Sequence, residues 1–195
     1  MNKLMGFFEL RDLSVPSIPW REFDEHTRLD DNILWTVRTA VFFGNDLNLP
    51  RKVGVCADEA MAFGKKMLNE LNKQGMVIYY PYFVAVKSGN LNVFSNRIII
   101  EAVNEDLWNL VTLSDREVTI IDSNDSRQII GNESFLTENE IEEIEECVSH
   151  LRRKFNDDLL KGKSVLLEWS FARNCNKQKE PIGQQYLVFY EVRTV

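Results

Sequence analysis

Two segments near the C-terminal end carry the residues best suited to chemistry. Glu168 lies in residues 164–171 (SVLLEWSF), beside Leu166, Leu167 and Trp169, while Glu191 and Arg193 lie in residues 186–193 (YLVFYEVR) among Phe189, Tyr190 and Val192. Both runs are rich in aliphatic and aromatic residues and read as strands. The strand period of two places Leu166, Glu168 and Ser170 on one face of the first, and Leu187, Phe189, Glu191 and Arg193 on one face of the second. Antiparallel pairing across a long polar hairpin loop, residues 174–183, brings Glu168 beside Glu191 or Arg193. A carboxylate among apolar neighbours costs on the order of several kcal/mol unless it is paired or holds a metal. Two adjacent carboxylates repel and suit a divalent cation; a Glu168–Arg193 ion pair on a solvated sheet satisfies the same residues with no ligand. Arg38, between Val37 and Thr39, poses the same choice. Its planar fork suits phosphate or a carboxylate ligand, or it reaches an acid on its own sheet.

The elements that must position these residues follow from periodicity. Residues 32–43 (NILWTVRTAVFF) read as a buried strand and residues 46–51 as a loop. Ala60, Phe63, Gly64, Met67, Leu68 and Leu71 recur at helical spacing, so a helix is predicted over residues 58–72, capped by Asp58 and stopped by Lys73 and Gly75. From Met76 the period becomes two, with strands at 76–86, 90–94, 97–103 and 117–122 and turns at 87–90 and 95–96. Residues 137–155 give the clearest signal. Thr137 and Glu140 form a capping-box pattern, and Ile141, Ile144, Val148, Leu151 and Phe155 form one apolar stripe. The glutamates of its first half and Arg152, Arg153 and Lys154 in its last turn suit the helix dipole and read as a solvated face. Residues 1–31 read as an irregular N-terminal arm, held extended by Pro16 and Pro19, ahead of a single domain over residues 32–195. Uneven alternation with hairpin connections predicts an α+β fold, an antiparallel-rich sheet packed with helices.

Composition narrows the function classes. The 195 residues carry 23 Lys and Arg against 30 Asp and Glu, a net charge of −7. That balance argues against a dedicated nucleic-acid binder and against a polybasic membrane surface. No apolar stretch approaches the roughly 18 residues of a membrane span, and the N-terminus reaches charge too soon for a signal peptide, so a cytoplasmic protein is expected. Cys56, Cys147 and Cys175 lack a CxxC pair and read as reduced thiols. Gly162-Lys-Ser164 ends like a P-loop, but Asp157 stands where the first glycine belongs, so it reads as a turn. His26 and His150 have no Ser or Cys placed for a triad, and Tyr79, Tyr80, Tyr82 and Phe83 read as sheet packing.

In order, the segments resemble the ATP-grasp, pyruvate/phosphoenolpyruvate-binding domain of the phosphoenolpyruvate synthase and pyruvate phosphate dikinase family. Residues 34–40 (LWTVRTA) are similar to its V-R-S-S-A segment, and residues 77–93 to its V-Q-x-M-V-x-A-x-x-S-G-V-L-F-T hairpin. Residues 99–121 stand where it has G-L-G-E-x-V-V-x-G, and residues 137–155 match a helix opening L-T-x-x-E. Residues 167–169 and 188–193 look like its I-E-W and L-Y-I-L-Q-A-R-P. The resemblance spans residues 32–195 and implies an ATP-grasp-like fold using Mg-ATP. It implies Arg38, Glu168 and Arg193 as nucleotide-binding residues, Glu168 and Glu191 as metal ligands, and Arg193 and Glu191 as catalytic. The implied activity is a kinase-type phosphotransferase, with the acceptor supplied in trans and a protein partner completing the site. The chain departs from the pattern in three places. No G-G-K-G-A segment is found, Asn104-Glu-Asp-Leu-Trp108 replaces the glycines of G-L-G-E, and Glu191 replaces a glutamine. These departures support the alternative of a degenerate relative working through protein contacts.

Overall fold

The computed structural model describes residues 3–44, 49–107, 109–110, 116–123 and 126–195. In chain order these form α1 (Lys3–Asp12), β1 (Arg21–Glu22), β2 (Trp35–Val41), β3 (Arg51–Val55), α2 (Ala57–Leu71), β4 (Gly75–Pro81), β5 (Val84–Val93), β6 (Arg97–Asn104), β7 (Val118–Ser123) and β8 (Ser126–Gly131). Then follow α3 (Glu138–Glu145), α4 (Val148–Lys154), α5 (Asn156–Leu160), β9 (Val165–Cys175) and β10 (Pro181–Thr194). The strands make two antiparallel sheets, of order β1-β4-β2-β3 and β10-β9-β5-β6-β7-β8. The expected α+β fold with antiparallel sheet packed with helices is borne out, with two sheets where one was expected. No helix among the described residues is long and apolar enough to cross a membrane.

The six-stranded sheet has two unlike faces. Leu91, Val93, Ile98, Ile100, Val118, Ile120, Val165, Leu167, Trp169 and Val192 bury one face against Ile141, Ile144, Val148, Leu151, Phe155 and Leu159 of the three C-terminal helices. The other face carries Ser88, Asn90, Glu101, Glu168, Ser170, Glu191 and Arg193, as the registers of β6, β5, β9 and β10 require. In the four-stranded sheet, Val37, Val77 and Tyr79 pack on α2, whereas Ala40, Ile78 and Tyr80 meet Phe7 of α1, Ala172 of β9 and Val188 of β10. Arg38, two residues from Ala40, shares this second face and so lies at the junction of the sheets.

Several local expectations are corrected. The stretch read as a strand over residues 76–86 breaks after Pro81, which lacks an N–H to continue a ladder. β4 then belongs to one sheet and β5 to the other. Residues 87–90, expected to turn, are the middle of β5. Gly89 has no room for a Cβ, because the Glu101 carbonyl and the Trp169 ring occupy its place. The N-terminal arm is not irregular throughout: α1 buries Phe7 and Leu10, its Gly6 lying directly on the Val192 carbonyl. Extended backbone does follow it, since Pro16 accepts from the Phe189 N–H and Ile18 donates to the Phe189 carbonyl. β3 and β8 are edge strands that the pattern did not signal. Of the loop read at residues 46–51, residues 46–48 lie outside the described residues. α2 takes Cys56 rather than Asp58 at its cap position, and it ends on Asn72 with left-handed backbone.

The helix expected over residues 137–155 is interrupted near Cys147, whose thiol turns back onto the Ile144 carbonyl at 3.1 Å. Burial pushes that thiol up to about 12, so it stays protonated. The capping box is present, and the apolar stripe is buried as expected. Its Glu140, however, is not on a solvated face. It accepts from Lys87 at 2.7 Å, from the Thr137 N–H at 2.9 Å and from Gln185 at 3.0 Å. Burial opposes its charge, but Lys87, Thr137 and Gln185 outweigh that and hold the carboxyl below its ordinary range. A lowered folded-state value contributes stability above the unfolded value, near 4.3, and that stability is lost as pH falls through the folded value. Glu140→Gln is expected to cost about 2–3 kcal/mol at pH 7. The variant should also lose less stability than the parent between pH 5 and pH 3, as read by urea unfolding.

Candidate functional site

A β-bulge in β10 determines where the candidate residues point. Phe189 pairs with Trp169, but the next pair is Glu191 with Glu168, leaving Tyr190 as the extra residue. Strict alternation predicted Leu187, Phe189, Glu191 and Arg193 on one face, and this is corrected. Leu187 and Phe189 face the helix-packed core, while beyond the bulge Val192 takes that side. Glu191 and Arg193 are thereby turned to the polar face, the re-aiming that a bulge performs. On β9 the expected alternation holds, with Leu167 and Trp169 in the core and Glu168 opposite.

The four candidates converge. Arg193 Nη2 lies 3.4 Å from Glu168 Oε1, and its Nη1 lies 3.7 Å from Glu191 Oε1. Arg38 Nη2, from the other sheet, lies 4.0 Å from Glu191 Oε2. The Glu191 side chain is 3% exposed, against 36% for Arg193. Arg38 also has the Phe7 ring at 5.5 Å from its guanidinium carbon. Burial disfavours the Arg38 charge, yet Tyr80, Glu191 and Glu168 together hold its pKa above the ordinary arginine value. Tyr190 is pushed well above its ordinary value by burial and by the Glu168 charge, against a hydrogen bond with Ser170. It is therefore a neutral phenol at physiological pH. Beneath it, Ser88 Oγ donates to the Glu105 carbonyl at 2.6 Å and lies 2.7 Å from Ser170 Oγ.

Two guanidiniums and two carboxylates at one junction suit two chemistries. The guanidinium forks match phosphate or carboxylate oxygens. The carboxylates offer hard oxygen donors to a divalent cation. Among the described residues no group of three His, Cys, Asp or Glu could hold a metal. Magnesium, however, is commonly bound through one or two carboxylates plus ligand phosphates. The Asn90 Oδ1, buried without a hydrogen-bond partner and opposite Glu168 in register, adds an oxygen of the right kind. The donor set fits magnesium brought with a polyphosphate.

Sequence reasoning did not single out Asn90 and Asn92, although both fell in the strand expected over residues 90–94; their N-x-N alternation was the available signal. It also missed the roles of Tyr80, Tyr190 and Phe7. Glycine at 162 has φ of 82°, consistent with the expected turn. Cys56, Cys147 and Cys175 are all free thiols.

No family model matches the chain, and no curated protein does. Among solved structures the chain is similar to the macrocyclase MdnC bound with precursor peptide MdnA from Microcystis aeruginosa, at 10% identity with a TM-score of 0.47. That alignment covers 97% of this chain and 51% of the other, so the chain spans about half the length of that protein. The absence of any matching family model overturns the resemblance to the phosphoenolpyruvate synthase and pyruvate phosphate dikinase family. The geometry agrees, because residues 77–93, likened to a family hairpin, are divided between two sheets.

Removing one member of the cluster leaves a buried charge short of a partner. Arg38→Met is expected to destabilise by about 3 kcal/mol through Glu191. The R38M/E191Q pair should recover part of that loss, giving a coupling energy in a double-mutant cycle read by urea unfolding.

Proposed function

We propose that the junction of the two sheets binds a nucleoside triphosphate with magnesium in an ATP-grasp-like manner. The observation that supports this most directly is the meeting of Arg38 and Arg193, from different sheets, on the in-register pair Glu168 and Glu191. In this reading Arg38 and Arg193 take phosphate oxygens, and Glu168 and Glu191 hold the cation. Phosphoryl transfer needs positioning and charge neutralisation far more than covalent participation by the protein. Bound magnesium supplies Lewis-acid neutralisation of developing phosphate charge. Arg193, the most exposed member of the cluster, and the buried Glu191 beside it are assigned to the transferred phosphate. Phe7 and Tyr80 hold the Arg38 fork in place, and Tyr190, kept neutral, adds no negative charge where phosphate lies. The activity is a phosphotransferase reaction on an acceptor supplied in trans, with a protein or peptide partner completing the site, in the cytoplasm.

A second reading is favoured by the ion pairs themselves: both carboxylates already have guanidinium partners. In that reading the cluster is structural, and the protein works through protein contacts.

Thermal unfolding with ATP, ADP and AMP, each with and without magnesium, separates the two. Nucleotide at 100-fold over its Kd adds about 2.7 kcal/mol, a rise of roughly 5–10 °C for a chain of this size. The nucleotide reading expects that rise with ATP and magnesium. Glu168→Gln should remove its magnesium-dependent part, and Arg193→Met most of it. No shift at millimolar nucleotide would leave the protein-contact reading.

A further inference from the structure

Arg193 stands between the two carboxylates that a bound cation needs. Its Nη2 approaches Glu168 at 3.4 Å and its Nη1 approaches Glu191 at 3.7 Å, so one guanidinium bridges both acids. A divalent ion joining Glu168 and Glu191 requires the same space, since magnesium draws carboxylate oxygens to about 2.1 Å. Guanidinium and metal therefore exclude one another. Charge leads to the same conclusion. Arg38 and Arg193 already neutralise Glu168 and Glu191, and a bare divalent ion would add positive charge at a buried site with nothing to offset it.

The bridge is also loose. Charge-assisted N–H···O bonds close to about 2.7–2.9 Å, as Lys87 does on Glu140 at 2.7 Å. Both Arg193 contacts stay well beyond that, and its Nε is closed to solvent with no hydrogen-bond partner among the described residues. The two arginines differ in freedom. Arg38 is 14% exposed and lies against the Phe7 ring, whereas Arg193 is 36% exposed. An arginine held at long range, with a third of its side chain in solvent and one donor unsatisfied, loses little by moving. Phosphate oxygens offer its fork the short, paired contacts that the two carboxylates do not provide.

We infer that Arg193 is the resident counter-ion of the Glu168–Glu191 pair, barring a divalent metal until a polyphosphate draws the guanidinium away. Metal and polyphosphate then bind with positive coupling, and each raises the affinity for the other by the same factor. The barrier to bare metal rests on the cluster geometry alone. Its release by polyphosphate rests on the nucleotide reading proposed above.

The test titrates manganese chloride, a paramagnetic stand-in for magnesium, into nucleotide-free protein and reads the bound fraction by electron paramagnetic resonance. Two unit charges about 4 Å apart in an effective dielectric near 20 shift an equilibrium by roughly a thousandfold. Solvent screening at the partly exposed Arg193 reduces that. R193M is therefore expected to bind manganese at least tenfold more tightly than the parent, and R193M/E168Q to lose the increase. R193Q replaces R193M if thermal unfolding without metal shows the methionine variant misfolded. In isotope-labelled parent protein, the Arg193 Nε–H resonance, assigned by its absence from R193M, should shift with ATP plus magnesium and stay in place with magnesium alone. The inference is overturned if parent and R193M bind manganese equally, if the increase survives E168Q, or if magnesium alone moves the Arg193 resonance. It is equally overturned if ATP and magnesium stabilise the parent while that resonance stays in place. Absence of any ATP stabilisation, with the manganese increase of R193M intact, sinks the nucleotide reading and leaves Arg193 as the barrier to metal. ATP stabilisation with no manganese increase sinks the barrier alone.

Discussion

Glu191 is a charge almost wholly withdrawn from water, 2% exposed, and both sheets are organised around it. An isolated buried carboxylate is not tolerated, so its position demands cations. One arrives from its own strand, through Arg193, and the other from the four-stranded sheet, through Arg38. The second contact makes the pair more than a surface ion pair, because it ties the relative placement of the two sheets to an electrostatic requirement. Phe7 closes the assembly from the N-terminal helix, with its ring against the Arg38 guanidinium.

The bulge at Tyr190 is what makes that arrangement compatible with a core. Without it, alternation along β10 would aim Glu191 and Arg193 at the helices that cover Leu187 and Phe189. With it, Val192 keeps the apolar face continuous while the charged residues join Glu168 and Asn90. The same division of faces explains Gly89. It lies between Ser88 and Asn90, and the strand can pass close beneath the Trp169 ring and the Glu101 carbonyl only without a side chain there. Two polar rows on one face and an apolar layer on the other thus come from local geometry at two positions, a bulge and a glycine.

Away from the site, Lys87 and Glu140 link the sheet to its covering helix. The capping-box glutamate, which normally serves only its own helix end, also receives a lysine from β5 and an amide from β10. Helix placement is therefore coupled to the strand that carries Asn90 and Asn92. The first C-terminal helix is thus tied, through one side chain, to two strands of the sheet face that the helices cover.

Much of this was legible in the sequence. Period-two runs identified β6, β7, β9 and β10, helical spacing identified α2, and the Thr137–Glu140 pair located the start of α3. Charged residues inside apolar strands singled out Arg38, Glu168, Glu191 and Arg193, and hairpin pairing anticipated that Glu168 would meet Glu191 or Arg193. These signals are local, set by side-chain alternation and capping within a few residues, and a sequence carries them directly. What the chain alone did not reveal were the division of residues 76–93 between two sheets, the edge strands β3 and β8, the helix α1 and the bulge. Each is decided by contacts between residues distant in sequence: Gly6 on Val192, Gly89 under Trp169, Arg38 reaching Glu191. The sequence determined which residues could do chemistry and on which strands they lie. Only the tertiary structure decided that they share one face at one junction, because a single extra residue in β10 reverses the side to which every later side chain points.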